Sequence, residues 1–152
     1  MRVLLLNPAF KPQHGRFSRE QRSPAITKGG TLYYPMGLCS AAGVLQEDGF
    51  EVRLLDAPAR RLTEQAAAEQ AAAFAPAMVV VNTSTPSIAG DVAAAGAVAE
   101  ACGAVAVLVG THPTALPEAT LAMDARVDAV ARREYEHTVR DLARAVRDAG
   151  GR

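Results

Sequence analysis

Three short clusters carry side chains able to do chemistry, and each directly follows an apolar run. In "VVVNTSTPS", Asn82, Thr83, Ser84 and Thr85 present amide and hydroxyl groups, and Pro86 stands where a helix takes its first position. With the free backbone amides of a helix start, that set suits a phosphate or an amide-bearing ligand. Capping by Thr85 accounts for one such residue, not for four in a row. In "VLVGTHPTALPE", Gly110, Thr111, His112 and Thr114 lie among prolines. His112 is there a candidate proton carrier or metal ligand, or one part of a backbone-shaped loop that wraps something larger. In "VDAVARREYEHT", Glu134 or Glu136 suits the first turn of a helix, where the dipole favours acids, and Tyr135 lies between them. His137 falls deeper in that helix and is expected to face solvent.

Several familiar constellations are missing from the sequence. No Gly-x-Gly-x-x-Gly follows the first apolar run, and neither a Walker Gly-Lys-Ser/Thr nor a Gly-x-Ser-x-Gly elbow occurs. His14, His112 and His137 have no Cys or His companions at zinc spacing. A phosphorelay receiver needs acids after its first strand and an Asp at the end of its third, where Asn7 and Asn82 stand. A flavodoxin carries its hydroxyl-rich phosphate loop after strand one, whereas here the hydroxyls follow strand three.

The elements that must position these clusters show as short apolar runs alternating with amphipathic stretches, the pattern of βα units around a parallel sheet. Strands are expected over 3–6, 51–55, 78–81, 105–109 and 127–130, and "VLLL", "MVVV" and "VAVLV" have the unbroken apolar character of buried parallel strands. A first helix spans Pro35 to Asp48, with Leu38, Ala41, Ala42 and Leu45 on one stripe and Gly49 as its left-handed cap. A second runs from Leu62 to Phe74. A third starts at Thr85 and Pro86, buries Ile88, Val92, Ala95, Ala99 and Cys102, and ends at Gly103. A short helix near 118–123 follows, and 134–149 closes the chain with Val139, Leu142 and Val146 inward.

Right-handed crossovers make this an α/β fold, an open doubly wound five-stranded parallel sheet of order 2-1-3-4-5, flavodoxin-like or Rossmann-like, with helices on both faces. Such sheets bind ligands outside the carboxyl ends of their strands, here beside the switch between strands one and three. The chemistry is therefore expected in the loops that begin at Asn7, Asp56, Asn82, Gly110 and Arg132. The first of these, 8–34, far exceeds the roughly 2–6 residues usual for a βα connection. Its cations Lys11, Arg16, Arg19, Arg22 and Lys28, with His14 beside them, face one acid, Glu20. It reads as a flap over a ligand, as a docking surface, or as a solvated loop.

At 152 residues the chain has the length of one domain, 1–152, which buries about 68–70% of its unfolded surface without a disulfide framework. Sixteen basic residues balance sixteen acidic ones, so no net field draws in nucleic acid or an acidic membrane surface. "MRVLLLNP" is too short for a signal core or a spanning helix. Cys39 and Cys102 fall within apolar helical patterns as small hydrophobes, which suggests a reducing, cytoplasmic setting.

Taken together, "LLLNP", "YYPMGLCSAAGVLQEDGFEVRLLDA", "VVVNTSTPS", "VLVGTHPTALPE" and "VDAVARREYEHT" resemble, in order and spacing, the cobalamin-binding domain of the B12-dependent radical SAM family. The resemblance covers nearly the whole chain, from Val3 to Val146. It implies cobalamin across the carboxyl ends of the strands, with Asn7 and Pro8 near the corrin. Thr83, Ser84, Thr85 and Pro86 would then lie at the pocket of the nucleotide tail. Gly110, Thr111, His112 and Thr114 would wrap that tail, and Glu134 and Tyr135 would border its pocket. Two positions depart from the family pattern. Val109 replaces the first glycine of a pair, and Arg133 replaces the glycine of an Arg-Gly-Glu.

The histidine-bearing Asp-x-His-x-x-Gly of other B12 domains is lacking around His14, so the resemblance implies base-off cobalamin with no protein lower ligand. It further implies methyl carriage for a radical SAM methyltransferase or related enzyme. SAM and a [4Fe-4S] cluster would belong to a partner catalytic domain or subunit, because Cys39 and Cys102 cannot supply Cys-x3-Cys-x2-Cys. Two other readings stand beside this one. The first is a doubly wound domain for a nucleotide or CoA-type ligand. The second is a degenerate module that has lost its cofactor and serves in assembly.

Overall fold

The computed structural model describes residues 1–20, 24–27 and 29–151. Arg22 and Lys28, counted above among the cations of the first loop, lie outside the described residues. Four strands carry the sheet at full length: β1 (Arg2–Asn7), β4 (Glu51–Asp56), β5 (Met78–Thr83) and β6 (Val105–Gly110). A two-residue β7 (Ala129–Val130) completes it, in the spatial order β4-β1-β5-β6-β7 with every pairing parallel. Counted along the chain this is the expected 2-1-3-4-5. All six residues of β5 are buried, as its central place demands of an unbroken apolar run.

Helices cover both faces and divide the core in two. On one side α2 (Glu64–Phe74) and α3 (Ile88–Cys102) pack Ala67, Ala71, Val92, Ala95 and Ala99 over Leu4, Leu6, Val79 and Val81. On the other, α1 (Met36–Glu47) and α6 (Glu136–Asp148) pack Leu38, Leu45, Val139 and Ala143 over Val3, Leu5, Val80, Val107 and Val109. Alternate residues of each strand serve opposite cores, the period of two that a strand imposes. Asp48, just past α1, is clamped by Arg144 of α6, whose guanidinium lowers the carboxyl's pKa.

The boundaries follow local chemistry. The Thr63 hydroxyl accepts the Ala66 amide at 3.1 Å, so α2 begins at Glu64 rather than Leu62. Gly49 (φ 80°) and Gly103 (φ 63°) take the left-handed turns that close α1 and α3. Gly96 lets α3 approach the segment before β7, since a Cβ there would meet the Asp124 carboxylate at 2.7 Å. Arg126 binds that carboxylate and holds its pKa down to about 2.

Five expectations need correction. The segment 8–34 is not one open loop, because β2 (Arg16–Ser18) pairs antiparallel with β3 (Ala25–Thr27) inside it. The last strand shrinks from 127–130 to two residues, because Val127 is taken into a turn on Asp124. The short helix expected near 118–123 is α5 (Pro117–Leu121), and a second one, α4 (Thr111–Ala115), precedes it where a loop was expected, with Leu116 between them. The final helix starts at Glu136, so Glu134 precedes it, and Leu142 is only partly buried beside Val139 and Val146. Cys39 is exposed on α1 rather than buried, whereas Cys102 packs partly into the α2/α3 core. Among the described residues no helix is long and apolar enough to cross a membrane.

Candidate functional site

The carboxyl ends of β1 and β5 flank the switch point, and the residues there are polar yet buried. Asn7 is 4% exposed, Asn82 5%, Thr83 2% and Ser84 1%. Buried polar groups need partners, and the segment after β2 supplies two of them. Arg19 reaches into the crevice and donates to the Asn7 side-chain oxygen (3.0 Å) and to the Pro8 carbonyl (2.7 Å). Its other face pairs with Asp91 of α3 at 2.5 Å, both side chains being within 1% of full burial. Asn7 in turn donates to Asp56 (3.0 Å), and Asn82 donates to Glu20 (2.7 Å).

Asp91 gathers the loop after β5 as well. Its carboxylate accepts from the Ser87 hydroxyl (2.6 Å) and the Ser84 amide (3.3 Å). Burial pushes its pKa up, while Arg19, Ser87 and Ser84 act against that rise. The expected capping role of Thr85 is thereby corrected. Ser84 takes the cap position of a short 3-10 turn, 85–87, that leads into α3, and Thr85 is exposed with Pro86. The Thr85 hydroxyl meets His112 Nδ1 at 3.3 Å instead.

The three polar clusters are stitched to one another. Thr83 donates to the Val109 carbonyl (2.8 Å), joining the ends of β5 and β6. Thr114 donates to the Gly110 carbonyl (2.7 Å) and accepts the Arg133 amide (2.9 Å), joining α4 to the loop after β7. Arg132 adds a bond to the Thr114 carbonyl (3.2 Å). The hydroxyls thus set the path of the backbone. The "GTHPT" segment is helical from Thr111, not an open wrapping loop, with Thr111 exposed and His112 half-buried.

Gly110 is the residue this arrangement cannot replace. It lies at φ 115°, ψ −165°, and an added Cβ would collide with the Thr83 carbonyl oxygen and lie 3.1 Å from its carbon. Val109 imposes no such demand, because it is fully buried in the α1/α6 core. Arg133 is exposed at φ 60°, so the glycine of the family pattern answers a left-handed backbone there. Arg133→Gly should therefore raise stability by about 0.5–1 kcal/mol, the left-handed penalty less the added freedom of the unfolded chain. Urea unfolding checks this, and a loss of stability would contradict it.

Glu134 is exposed ahead of α6, whereas Tyr135 is 8% exposed and turned into the α1/α6 core. The structure therefore brings Asn7, Pro8, Thr83, Ser84, Thr85, Pro86, Gly110, Thr111, His112, Thr114 and Glu134 to one edge of the sheet, with Tyr135 beneath it. His14 lies exposed on a 3-10 turn, 12–14, and His137 is exposed on α6 next to Arg140. Among the described residues no three His, Cys, Asp or Glu side chains group as a metal site.

Reading the sequence missed Asp91, Ser87, Arg19 and Glu20 as organisers of the edge. Asp91 left one trace, a charge on the apolar stripe of α3 between Ile88 and Ala95. Arg19 left none, being one cation among several in its loop.

A search of curated proteins found no match. Among solved structures, the chain is similar to the radical S-adenosylmethionine methyltransferase TsrM from Kitasatospora setae, determined with cobalamin and a [4Fe-4S] cluster bound. The TM-score is 0.73 at 19% identity, over 97% of this chain and 26% of that one, so the chain spans about a quarter of that enzyme's length. That likeness is one of fold. The family model of the B12 binding domain matches residues 22–143, which hold four of the five strands of the main sheet and the loops after β5, β6 and β7, while Asn7, Pro8, Arg19 and Glu20 fall outside it. The chain belongs to the B12-binding domain family.

Proposed function

We propose that this chain holds cobalamin across the carboxyl ends of β1, β5, β6 and β7 and presents it to a radical SAM methyltransferase or a related enzyme. The observation that carries the reading is the Gly110 junction. A glycine-only backbone brings β6 against Thr83, and the hydroxyls of Thr83, Thr85 and Thr114 lock the three loops at a shared edge within the matched family region. Asn7 and Pro8 face the corrin in this reading. Thr85, Pro86, Thr111, His112 and Glu134 form the rim that meets the nucleotide arm, over Thr83, Ser84, Gly110, Thr114 and Tyr135.

The fit is good at the edge and tight below it. Thr85, Thr111 and Glu134 of the rim are exposed and polar and His112 is half-buried, whereas Val109 and Tyr135 pack into the core between α1 and α6. Bound cobalamin supplies the methyl-carrying chemistry, and this chain supplies binding, orientation and shielding from water. Its cobalt takes no lower ligand from the protein, and the cofactor is held base-off. His14 is exposed on its 3-10 turn, and His112 is engaged with Thr85.

SAM and the iron–sulfur cluster belong to a catalytic domain, in the same polypeptide or in a partner. Cys39 on α1 and Cys102 on α3 lie on opposite faces of the sheet and cannot share a cluster. Arg133 does not by itself mark a lost cofactor, since it is exposed on a left-handed backbone that it adopts in place of the glycine. The test is to mix the protein with hydroxocobalamin, desalt it, and record the absorption spectrum. A retained base-off spectrum, unchanged in His14→Ala, is expected. Loss of all cobalamin on desalting would refute binding, and a spectral shift in His14→Ala would refute the absence of a protein ligand.

A further inference from the structure

The space between α1 and α6, over β5 and β6, is filled by apolar side chains. Val109 is fully buried there, and Tyr135 belongs to the same cluster, with Leu38, Ala131 and Val139. The ring of Tyr135 reaches α1 at Gly37, where an added Cβ would collide with the phenol oxygen and sit 3.1 Å from Cζ. α1 therefore carries no side chain at the point where the ring rests.

The two residues are anchored differently. Val109 belongs to the β6 ladder and cannot leave without tearing the sheet. Tyr135 stands ahead of the first turn of α6, after three exposed residues, 132–134. No hydrogen bond holds its hydroxyl among the described residues, and the oxygen is not sealed from solvent, because every fully buried side-chain polar atom described has a partner. Burial pushes the phenol's pKa up, and the nearby carboxylates of Glu20 and Glu136 add to the rise. The ring is thus held by packing alone. Its removal would open apolar space beside Gly37 within this cluster, a chemistry that suits the aromatic base ending the nucleotide tail of cobalamin.

We propose that Tyr135 is a gate, whose ring occupies this space in the free protein and swings out to admit the nucleotide tail. The gate rests on the cobalamin reading above. The tail-less corrinoid cobinamide provides the comparison, because it needs the edge and not this space.

In stopped-flow mixing with the wild-type protein, cobinamide should associate about tenfold faster than hydroxocobalamin, because only the latter waits for the minor open state. Tyr135→Leu keeps an apolar side chain but clears the space beside Gly37. It should bring the two rates within about threefold by speeding hydroxocobalamin alone. Equal rates in the wild type would overturn the gate. So would a hydroxocobalamin lag that persists in Tyr135→Leu, because the slow step would then be release of the base from cobalt. Binding of neither corrinoid would instead sink the cobalamin reading itself.

Should Tyr135→Leu fail to fold, acetylation of Tyr135 by N-acetylimidazole in the wild-type protein, read by mass spectrometry, keeps the gate testable. Hydroxocobalamin should increase the modification and cobinamide should not. Equal modification with both would overturn the gate.

Discussion

Asp91→Ala should cost about 3–5 kcal/mol of folding stability, the range for removing one partner of a buried ion pair. The loss arises from what is left behind. Arg19, 5% exposed, would keep a guanidinium in the crevice with only the Asn7 oxygen and the Pro8 carbonyl to satisfy it. The Ser84 amide and the Ser87 hydroxyl would lose their acceptor at the same moment, so the turn into α3 loosens together with the segment that carries Arg19. Arg19→Ala should cost a similar amount. The double variant should lose little more than either single one, because both substitutions remove one shared network. Urea denaturation of the three variants measures this. Independent, additive losses would show that the two residues are not one unit.

Gly110→Ala should cost about 3–5 kcal/mol, from a backbone region open only to glycine together with a forced clash. The collision is with backbone, the Thr83 carbonyl, and therefore cannot be relieved by a rotamer change. To make room, the end of β6 must move from β5, which breaks the Thr83 bond to the Val109 carbonyl and displaces Thr114 from the Gly110 carbonyl. Cobalamin retention should fall with stability in this variant. In Val109→Gly, by contrast, the fold should loosen while the junction keeps its geometry, since Val109 contributes a core side chain and Gly110 the close approach. A Gly110→Ala protein as stable as the wild type would remove the junction from the account.

The sheet was legible in the sequence because its central strands β1, β5 and β6 are buried on both faces and read as continuous apolar runs. "MVVV" has no other reasonable partner than a parallel sheet core. Helix ends at Gly49 and Gly103 were legible for the same local reason, a left-handed turn that glycine takes without strain. The candidate edge was legible as a place, because the switch point follows from strand order alone. Its internal wiring was not. Arg19 and Asp91 are 72 residues apart, and nothing in a loop of several cations marks the one that folds inward. The antiparallel pair β2–β3 was hidden because each strand has three residues, too few for an alternation to show. The family glycine missing at 133 showed in the sequence only as a departure from the pattern. The structure turns it into a matter of backbone sign, because Arg133 adopts φ 60° with its side chain in solvent.

The central claim, that this edge binds cobalamin, is tested most directly by equilibrium dialysis of the purified chain against hydroxocobalamin, with thermal unfolding followed on the same samples. The account predicts saturation at one cobalamin per chain. It also predicts a rise in stability that grows as RT ln(1 + [L]/Kd), about 2.7 kcal/mol at a hundredfold excess over Kd. No saturable uptake at micromolar protein, with an unfolding temperature indifferent to hydroxocobalamin, would contradict it.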